Sequence, residues 1–335
     1  MRHSKINLKR VVMEVFGGCN YTCKMCPQSS PGRGANFTRK MSLNTFEKIL
    51  DKIVPEYGNP QINLEGSGEP TMAKDLALYV KAVKKRNLKC FMYCNGARLK
   101  GSFMKEVIDA GIDFIRISVI GYNKEVYKKW MNIDNFELIL SNLNLIKEYI
   151  KISNSKCDLT TYHLITDNNN IDFEVEEYKK NVINFLGMKS YIWKMHNWSG
   201  NYDNINLRNS SSKRSCGRPF APELTIRAGG ERGRAGAVTP CCQTLGPPNE
   251  EKSILGHFDK DSFEEIYFGE KYQKLRDAHS KNEFDKIDYC KDCDFLYDDP
   301  QVLVWSNDKN AKLNNMLGTG DDFILTEFNK SNYLS

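Results

Sequence analysis

Three cysteines fall within eight residues, Cys19, Cys23 and Cys26, directly behind the apolar run Val11 to Phe16. Such a C-x3-C-x2-C run needs a fold that ends a strand in a loop where three thiols can converge. Three closely spaced thiolates can hold three irons of a cubane and leave the fourth iron without a protein ligand, open for chemistry. A structural zinc site wants four ligands, and no fourth Cys or His follows at close spacing. Redox thiols more often come as a single C-x-x-C. The chain carries 11 Cys in 335 residues, an odd and clustered set that fits metal chemistry better than an oxidised framework. No apolar run approaches a membrane span, and Lys9 and Arg10 precede the first apolar stretch, which is not the pattern of a signal peptide. A cytoplasmic protein without a membrane partner is expected. Lys+Arg 48 against Asp+Glu 42 gives a net charge of +6 without a long basic block, so no nucleic-acid partner is indicated.

From Arg10 to Ile192 short apolar runs alternate with amphipathic ones, the pattern of parallel strands joined by helices. Strands are expected at Val11 to Phe16, Gln61 to Leu64, Cys90 to Tyr93, Phe114 to Val119, Leu159 to Leu164 and Tyr191 to Lys194. Helices are expected at Ser42 to Ile53, Asp75 to Arg86, Ser102 to Ala110, Asn135 to Ile150 and Phe173 to Phe185. The fold class is therefore α/β, a partial (β/α)6 TIM-like barrel, whose loops after the strands are the place to look for chemistry. Beyond residue 200 the composition turns polar and then rich in Gly, Pro and Cys, with one expected helix, Ser262 to Ser280. The division expected is a barrel over residues 1–200, a small cysteine-bearing domain over 201–306 and a polar, partly disordered tail over 307–335.

The loop after the second strand reads Gly66-Ser67-Gly68-Glu69-Pro70, where glycines let backbone approach a ligand and a carboxylate can accept from an ammonium. Strand three ends in Cys94-Asn95-Gly96, and strand four in Arg116-Ile117-Ser118. With the triplet in the loop after strand one, the region from about residue 10 to 195 resembles the radical S-adenosylmethionine (radical SAM) superfamily. The resemblance implies that Cys19, Cys23 and Cys26 bind a [4Fe-4S] cluster whose open iron is chelated by SAM. It implies also that Gly68 and Glu69 hold the SAM amino group, and that Asn95 and Ser118 contact its ribose or carboxylate. Met25 stands where relatives often carry an aromatic residue near the adenine, a role a thioether can fill. Cys90, Cys94 and Cys157 lack partners at ligand spacing and read as buried small hydrophobes.

Cys216, Cys241-Cys242 and Cys290-Lys291-Asp292-Cys293 form a second group, in which a hairpin, a helix and a returning C-x-x-C can close four ligands around a metal, a cluster or a zinc ion alike. The surrounding text, Ser253 to Gly256 and the helix with Tyr272, Leu275 and Arg276, resembles the SPASM/twitch extension of radical SAM enzymes. That resemblance implies a β-hairpin plus helix holding one auxiliary 4Fe-4S cluster on Cys216, Cys241, Cys290 and Cys293. Cys241 is preferred over Cys242 because Gly-x4-Cys is the family spacing. The long insertion Arg227 to Arg234 reads as an exposed hairpin tip or a cationic finger toward an anionic substrate.

A second cluster ligated by four protein thiolates has no open iron, which favours an electron-accepting or structural role. The expected function is reductive cleavage of SAM to a 5′-deoxyadenosyl radical that abstracts hydrogen, with dehydrogenation of a small polar metabolite and the auxiliary cluster as acceptor. A reductant such as flavodoxin or ferredoxin is the implied partner. The alternative enzyme is a peptide-modifying maturase, disfavoured because the barrel begins by about residue 10 and leaves no room for a leader-binding module. The alternative of another class is a non-catalytic iron-sulfur electron carrier, which needs no SAM pocket. Lys194, His196 and Trp198, beyond the sixth strand, are candidate substrate contacts, His196 a candidate base.

Overall fold

The computed structural model describes residues 6–29, 39–200, 202, 213–229, 235–244, 249–296, 303–309 and 311. Six β/α units come first: β1 (Arg10–Met13), α1 (Leu43–Tyr57), β2 (Gln61–Leu64), α2 (Leu76–Lys84), β3 (Cys90–Cys94), α3 (Gly101–Asp109) and β4 (Phe114–Ser118). After them come α4 (Lys124–Met131), α5 (Phe136–Ile152), β5 (Asp158–Leu164), α6 (Ile171–Tyr178), α7 (Asn184–Leu186) and β6 (Lys189–Trp193). The C-terminal region adds β7 (Glu223–Arg227), β8 (Ala237–Thr239), α8 (Asn249–Lys252), β9 (Gly256–His257), α9 (Phe263–Tyr267), α10 (Glu270–Ser280) and β10 (Leu303–Ser306).

All ten strands join one open sheet in the order β10-β6-β5-β4-β3-β2-β1-β7-β8-β9. From β6 across to β7 every pairing is parallel; β7, β8 and β9 form an antiparallel meander, and β10 runs antiparallel to β6. Strand alternation sorts the side chains. Ile62, Leu64, Met92, Ile115 and Ile117 are fully buried core residues, while Glu65, Tyr93, Arg116, Ser118, Tyr162 and Trp193, of the opposite parity, border a cavity. The partial barrel therefore has an apolar outer face under its helices and a polar inner face that side-chain bulk does not fill.

Local chemistry explains the helix boundaries and the departures from expectation. Ser42 caps α1 by accepting from the Thr45 amide at 3.1 Å, and Phe46, Ile49, Leu50 and Ile53 on one face are buried. Helix α4 had no counterpart in the sequence reading; Asn123 caps it, accepting from Val126 at 2.9 Å, and Asn132 ends it in the left-handed region at φ 56°. The helix expected over Phe173 to Phe185 is interrupted by a π-turn at Lys179–Ile183. The single helix expected from Ser262 to Ser280 is two helices. Gly269 separates them because a Cβ there would lie 2.1 Å from the Glu265 carbonyl oxygen, and Ser262 and Glu265 form a capping box on the first.

The linker expected around Asn201 to Lys213 lies largely outside the described residues, as do residues 230–234 of the insertion and 312–335 of the tail. Arg227, taken as the start of an exposed tip, is instead 1% exposed and donates to the Ser67 hydroxyl at 3.1 Å. The first tail residues are also held: Asn307 accepts from the Ser190 amide at 2.8 Å, and Tyr191 donates to Asp308 at 2.6 Å.

Arg276 of α10 fastens the C-terminal region. It is 1% exposed, donates to the carbonyls of Pro219 at 2.9 Å and Tyr267 at 2.6 Å, and lies over the rings of Tyr267 and Tyr272 at 4.3 and 4.1 Å. Arg276→Met keeps the volume but strands both carbonyls, so chemical denaturation should show a loss of about 3 kcal/mol. A loss within experimental error would show that those carbonyls find other donors.

Candidate functional site

The cysteine loop leaves β1 and folds back on itself through a turn in which the Cys26 amide donates to the Cys23 carbonyl at 3.0 Å. The same turn recurs in the C-terminal C-x-x-C, where the Cys293 amide donates to the Cys290 carbonyl at 2.9 Å. Cys19, Cys23 and Cys26 border one cavity of 240 Å³ at the C-terminal ends of the strands. Met25, Gly68, Glu69, Asn95 and Ser118 border the same cavity. So do His196 and Trp198; Lys194 does not.

The Gly-rich loop is locked to the cysteine loop. The Glu69 amide donates to the Gly18 carbonyl at 2.8 Å, and a Cβ on Gly68 would lie 2.2 Å from the Phe16 carbonyl oxygen and 2.5 Å from Gly17 and Gly18 backbone atoms. Only glycine lets the two backbones approach so closely. Glu69 is 3% exposed; one carboxylate oxygen accepts from the Thr71 amide and hydroxyl at 3.0 and 2.6 Å, the other from the Asn95 amide at 2.8 Å. Burial raises its pKa against these bonds. Glu14, just beyond β1, joins the loops after three strands: it accepts from the Ser67 amide and hydroxyl and, at 3.1 Å, from the Ala228 amide beyond β7.

Burial dominates the thiols. It pushes Cys19 up to about 12, with the Glu69 charge adding to the effect, and lifts Cys23 well above the thiol range, helped by Cys26 and Cys19. These thiols become thiolates only beside a positive centre, which a metal supplies. The second set behaves alike. Burial pushes Cys241 up to about 12 and raises Cys216, with Arg218 opposing in both cases. Cys290 and Cys293 stand well above the thiol range through burial first, and each feels the charges of Cys216 and Cys241. Cys290 and Cys293 therefore lie within electrostatic reach of Cys216 and Cys241, and Cys242, beside Cys241, borders the cavity with Gln243. No disulfide joins any cysteine, and Cys90, Cys94 and Cys157 are buried. Among the described residues no three His, Cys, Asp or Glu side chains close on a single-ion position.

Sequence reading missed part of the inner wall. Glu65 and Arg116 border the cavity, and their parity with Glu69-side and Ser118-side positions was the available signal. Four buried polar atoms on cavity-lining residues lack a hydrogen-bond partner: Gln28 Oε1, Arg116 Nε, Trp193 Nε1 and Gln243 Oε1. Such atoms are rare in native proteins unless a ligand or water satisfies them.

Residues 13–174 match the radical SAM superfamily, and residues 233–294 match SPASM, an iron-sulfur cluster-binding domain. A probable GTP 3′,8-cyclase of Thermococcus kodakarensis is 32% identical over 133 residues, covering 39% of this chain and 41% of that protein. The AdoMet-dependent heme synthase of Oleidesulfovibrio alaskensis is 26% identical over 139 residues, 41% of this chain and 35% of that protein. The chain thus spans about two fifths of the length of these curated relatives. Among solved structures, BtrN in complex with AdoMet and 2-DOIA aligns with a TM-score of 0.56 and 19% identity over 86% of this chain and 93% of that one. Streptococcus suis SuiB bound to precursor peptide SuiA aligns at 0.59 with 14% identity, over 87% and 70% of the two chains. These likenesses carry the fold. Together the matched domains imply SAM, a 4Fe-4S cluster and further iron-sulfur ligation.

Gly68→Ala tests how the two loops depend on each other. The added methyl must displace backbone at Phe16 to Gly18, so iron bound after anaerobic reconstitution should fall by roughly half, the C-terminal set staying loaded. Full iron content would show that the cysteine loop tolerates the shift.

Proposed function

The chain is a member of the radical SAM superfamily with a C-terminal SPASM iron-sulfur domain, and on that premise we propose that it oxidises a small polar metabolite by hydrogen abstraction. Cys19, Cys23 and Cys26 hold the first 4Fe-4S cluster, and Cys216, Cys241, Cys290 and Cys293 the second. Bound there, SAM and the first cluster supply a 5′-deoxyadenosyl radical, and the second cluster supplies an electron acceptor. Glu69, fixed by Thr71 and Asn95, receives the SAM amino group; Gly68 keeps the loop close; Asn95 and Ser118 turn polar groups toward the remainder of SAM, and Met25 packs by its base.

The observation that carries the substrate class is the set of orphaned polar atoms on the cavity wall, Trp193 Nε1 and Gln243 Oε1 among them, which a polar ligand satisfies and an apolar one does not. Dehydrogenating a carbon that bears a hydroxyl or amine takes a hydrogen atom from the C–H bond, then a proton from the O–H or N–H and an electron. His196, 5% exposed and 3.7 Å ring to ring from Trp198, borders the cavity and is our candidate for the proton. The walls shield the reacting centre from water. Four protein thiols around the second cluster leave it no open iron, which supports electron acceptance over substrate ligation. We place the protein in the cytoplasm, with flavodoxin or ferredoxin as reductant; no helix among the described residues is long and apolar enough to cross a membrane.

Anaerobic reconstitution, iron counting, EPR and a 5′-deoxyadenosine assay test this reading. Wild type should bind about eight irons and cleave SAM, and the Cys19/Cys23/Cys26→Ala variant should keep about four and cleave none. Cys241→Ser should lose the second cluster's EPR signal, whereas Cys242→Ser should retain it. A fully loaded protein that does not cleave SAM is an electron carrier, and zinc in the C-terminal set removes the redox role.

A further inference from the structure

The inner face of β4 carries a charge for which the described chain provides no acceptor. Arg116 is 8% exposed and borders the cavity, and its Nε is a buried donor without a partner. No hydrogen bond or ion pair joins its guanidinium to a described residue; ring faces surround it, Tyr191 and Trp193 at 4.7 Å, Tyr93 at 5.0 Å and Phe114 at 5.2 Å. Ring faces stabilise the charge but leave the N–H donors unused, and a buried charge with unused donors is costly until something accepts from them. Other buried arginines also leave a donor unused, Arg276 Nη2 and Arg10 Nε among them, but each is held by hydrogen bonds, Arg276 to two backbone carbonyls and Arg10 to Glu223, as Arg227 is to the Ser67 hydroxyl.

The neighbouring charged groups have hydrogen-bond partners of their own. Arg10 is spent on Glu223 at 2.5 Å. Glu65, which accepts from Asn63 at 3.0 Å, feels Arg10, Arg116 and Arg218 together. Among the described residues that border the cavity, Arg116 is the one guanidinium beside Glu65 and Glu69, and neither carboxylate accepts from it: Glu65 accepts from Asn63, and Glu69 from Thr71 and Asn95. Arg116 also sits two residues before Ser118, about 7 Å down the strand from the end where the cluster loops lie.

We infer that Arg116 anchors a carboxylate of the substrate, between the walls of Tyr93 and Trp193 and with Trp193 Nε1 as a further donor. A planar fork whose donors are unused matches the two oxygens of a carboxylate. The inference rests on the reading that the substrate shares this cavity with SAM.

Benzoate and its neutral isostere benzamide are suitable probes, small enough for the cavity and flat enough for its walls. Isothermal titration of the iron-loaded protein, with and without SAM, should give benzoate an affinity at least about tenfold above benzamide. Arg116→Gln should erase that preference while SAM affinity holds, and Arg116→Lys, keeping the charge without the fork, should retain part of it. Equal affinity of the two probes for wild type, which needs no variant to fold, overturns the inference. Persistence of the preference in Arg116→Gln overturns it too, as does a tenfold loss of SAM affinity there, which would assign Arg116 to SAM. If wild type binds no SAM, the functional reading fails, while the comparison without SAM still decides the anion site.

Discussion

One buried carboxylate holds the working end of this molecule together. Glu14 follows β1 by a single residue, accepts from Ser67 in the loop after β2, and reaches the Ala228 amide after β7. It is 3% exposed, and a Cβ on Gly66 would lie 2.5 Å from its Oε2. The first cysteines, the Gly-Glu-Pro loop and the strand that opens the C-terminal region are thereby positioned by one side chain. A carboxylate with several donors around it is a stiff joint, because each donor left behind would be a buried polar group without a partner.

The features legible in the sequence were those whose chemistry is local. A Gly-rich loop, a closely spaced cysteine run and alternating apolar strands each declare themselves within ten residues, and the structure brings Met25, Gly68, Glu69, Asn95 and Ser118 to one cavity as the strand order requires. What stayed hidden depends on distant partners. Whether Cys241 or Cys242 joins the second set is decided by which side of the chain after β8 faces Cys216 and Cys290, and only family spacing hinted at it. Arg227 read as a solvent-facing cation because its acceptor, Ser67, is 160 residues away. The break between α9 and α10 arises from a backbone contact that helix periodicity does not register. Arg116 and Glu65 were overlooked for a simpler reason: a charged residue inside a strand reads as an edge or surface position, and here the inner face of the sheet is a ligand cavity.

That inner face also separates two electrostatic tasks. The cysteine sets are thiols held neutral by burial and mutual repulsion, waiting for positive metal centres. Guanidinium groups stand nearby, Arg116 on the cavity wall and Arg218 toward Cys216, Cys241 and Cys242. Loaded clusters carry negative charge on their thiolates and sulfides, so cations at the wall temper the field that any substrate entering the cavity would meet.

The placement of β7 beside β1 has a further consequence. Residues on β1 from Arg10 to Met13 pair with Glu223 to Ile226 on one side and with β2 on the other. The C-terminal region is therefore stitched into the sheet rather than appended to it. A fragment ending near residue 200 would present β1 as a bare edge with a row of unanswered amides and carbonyls, a template for strand addition by another copy. Exchange of this region between relatives succeeds only where the incoming strand can replace that ladder rung for rung.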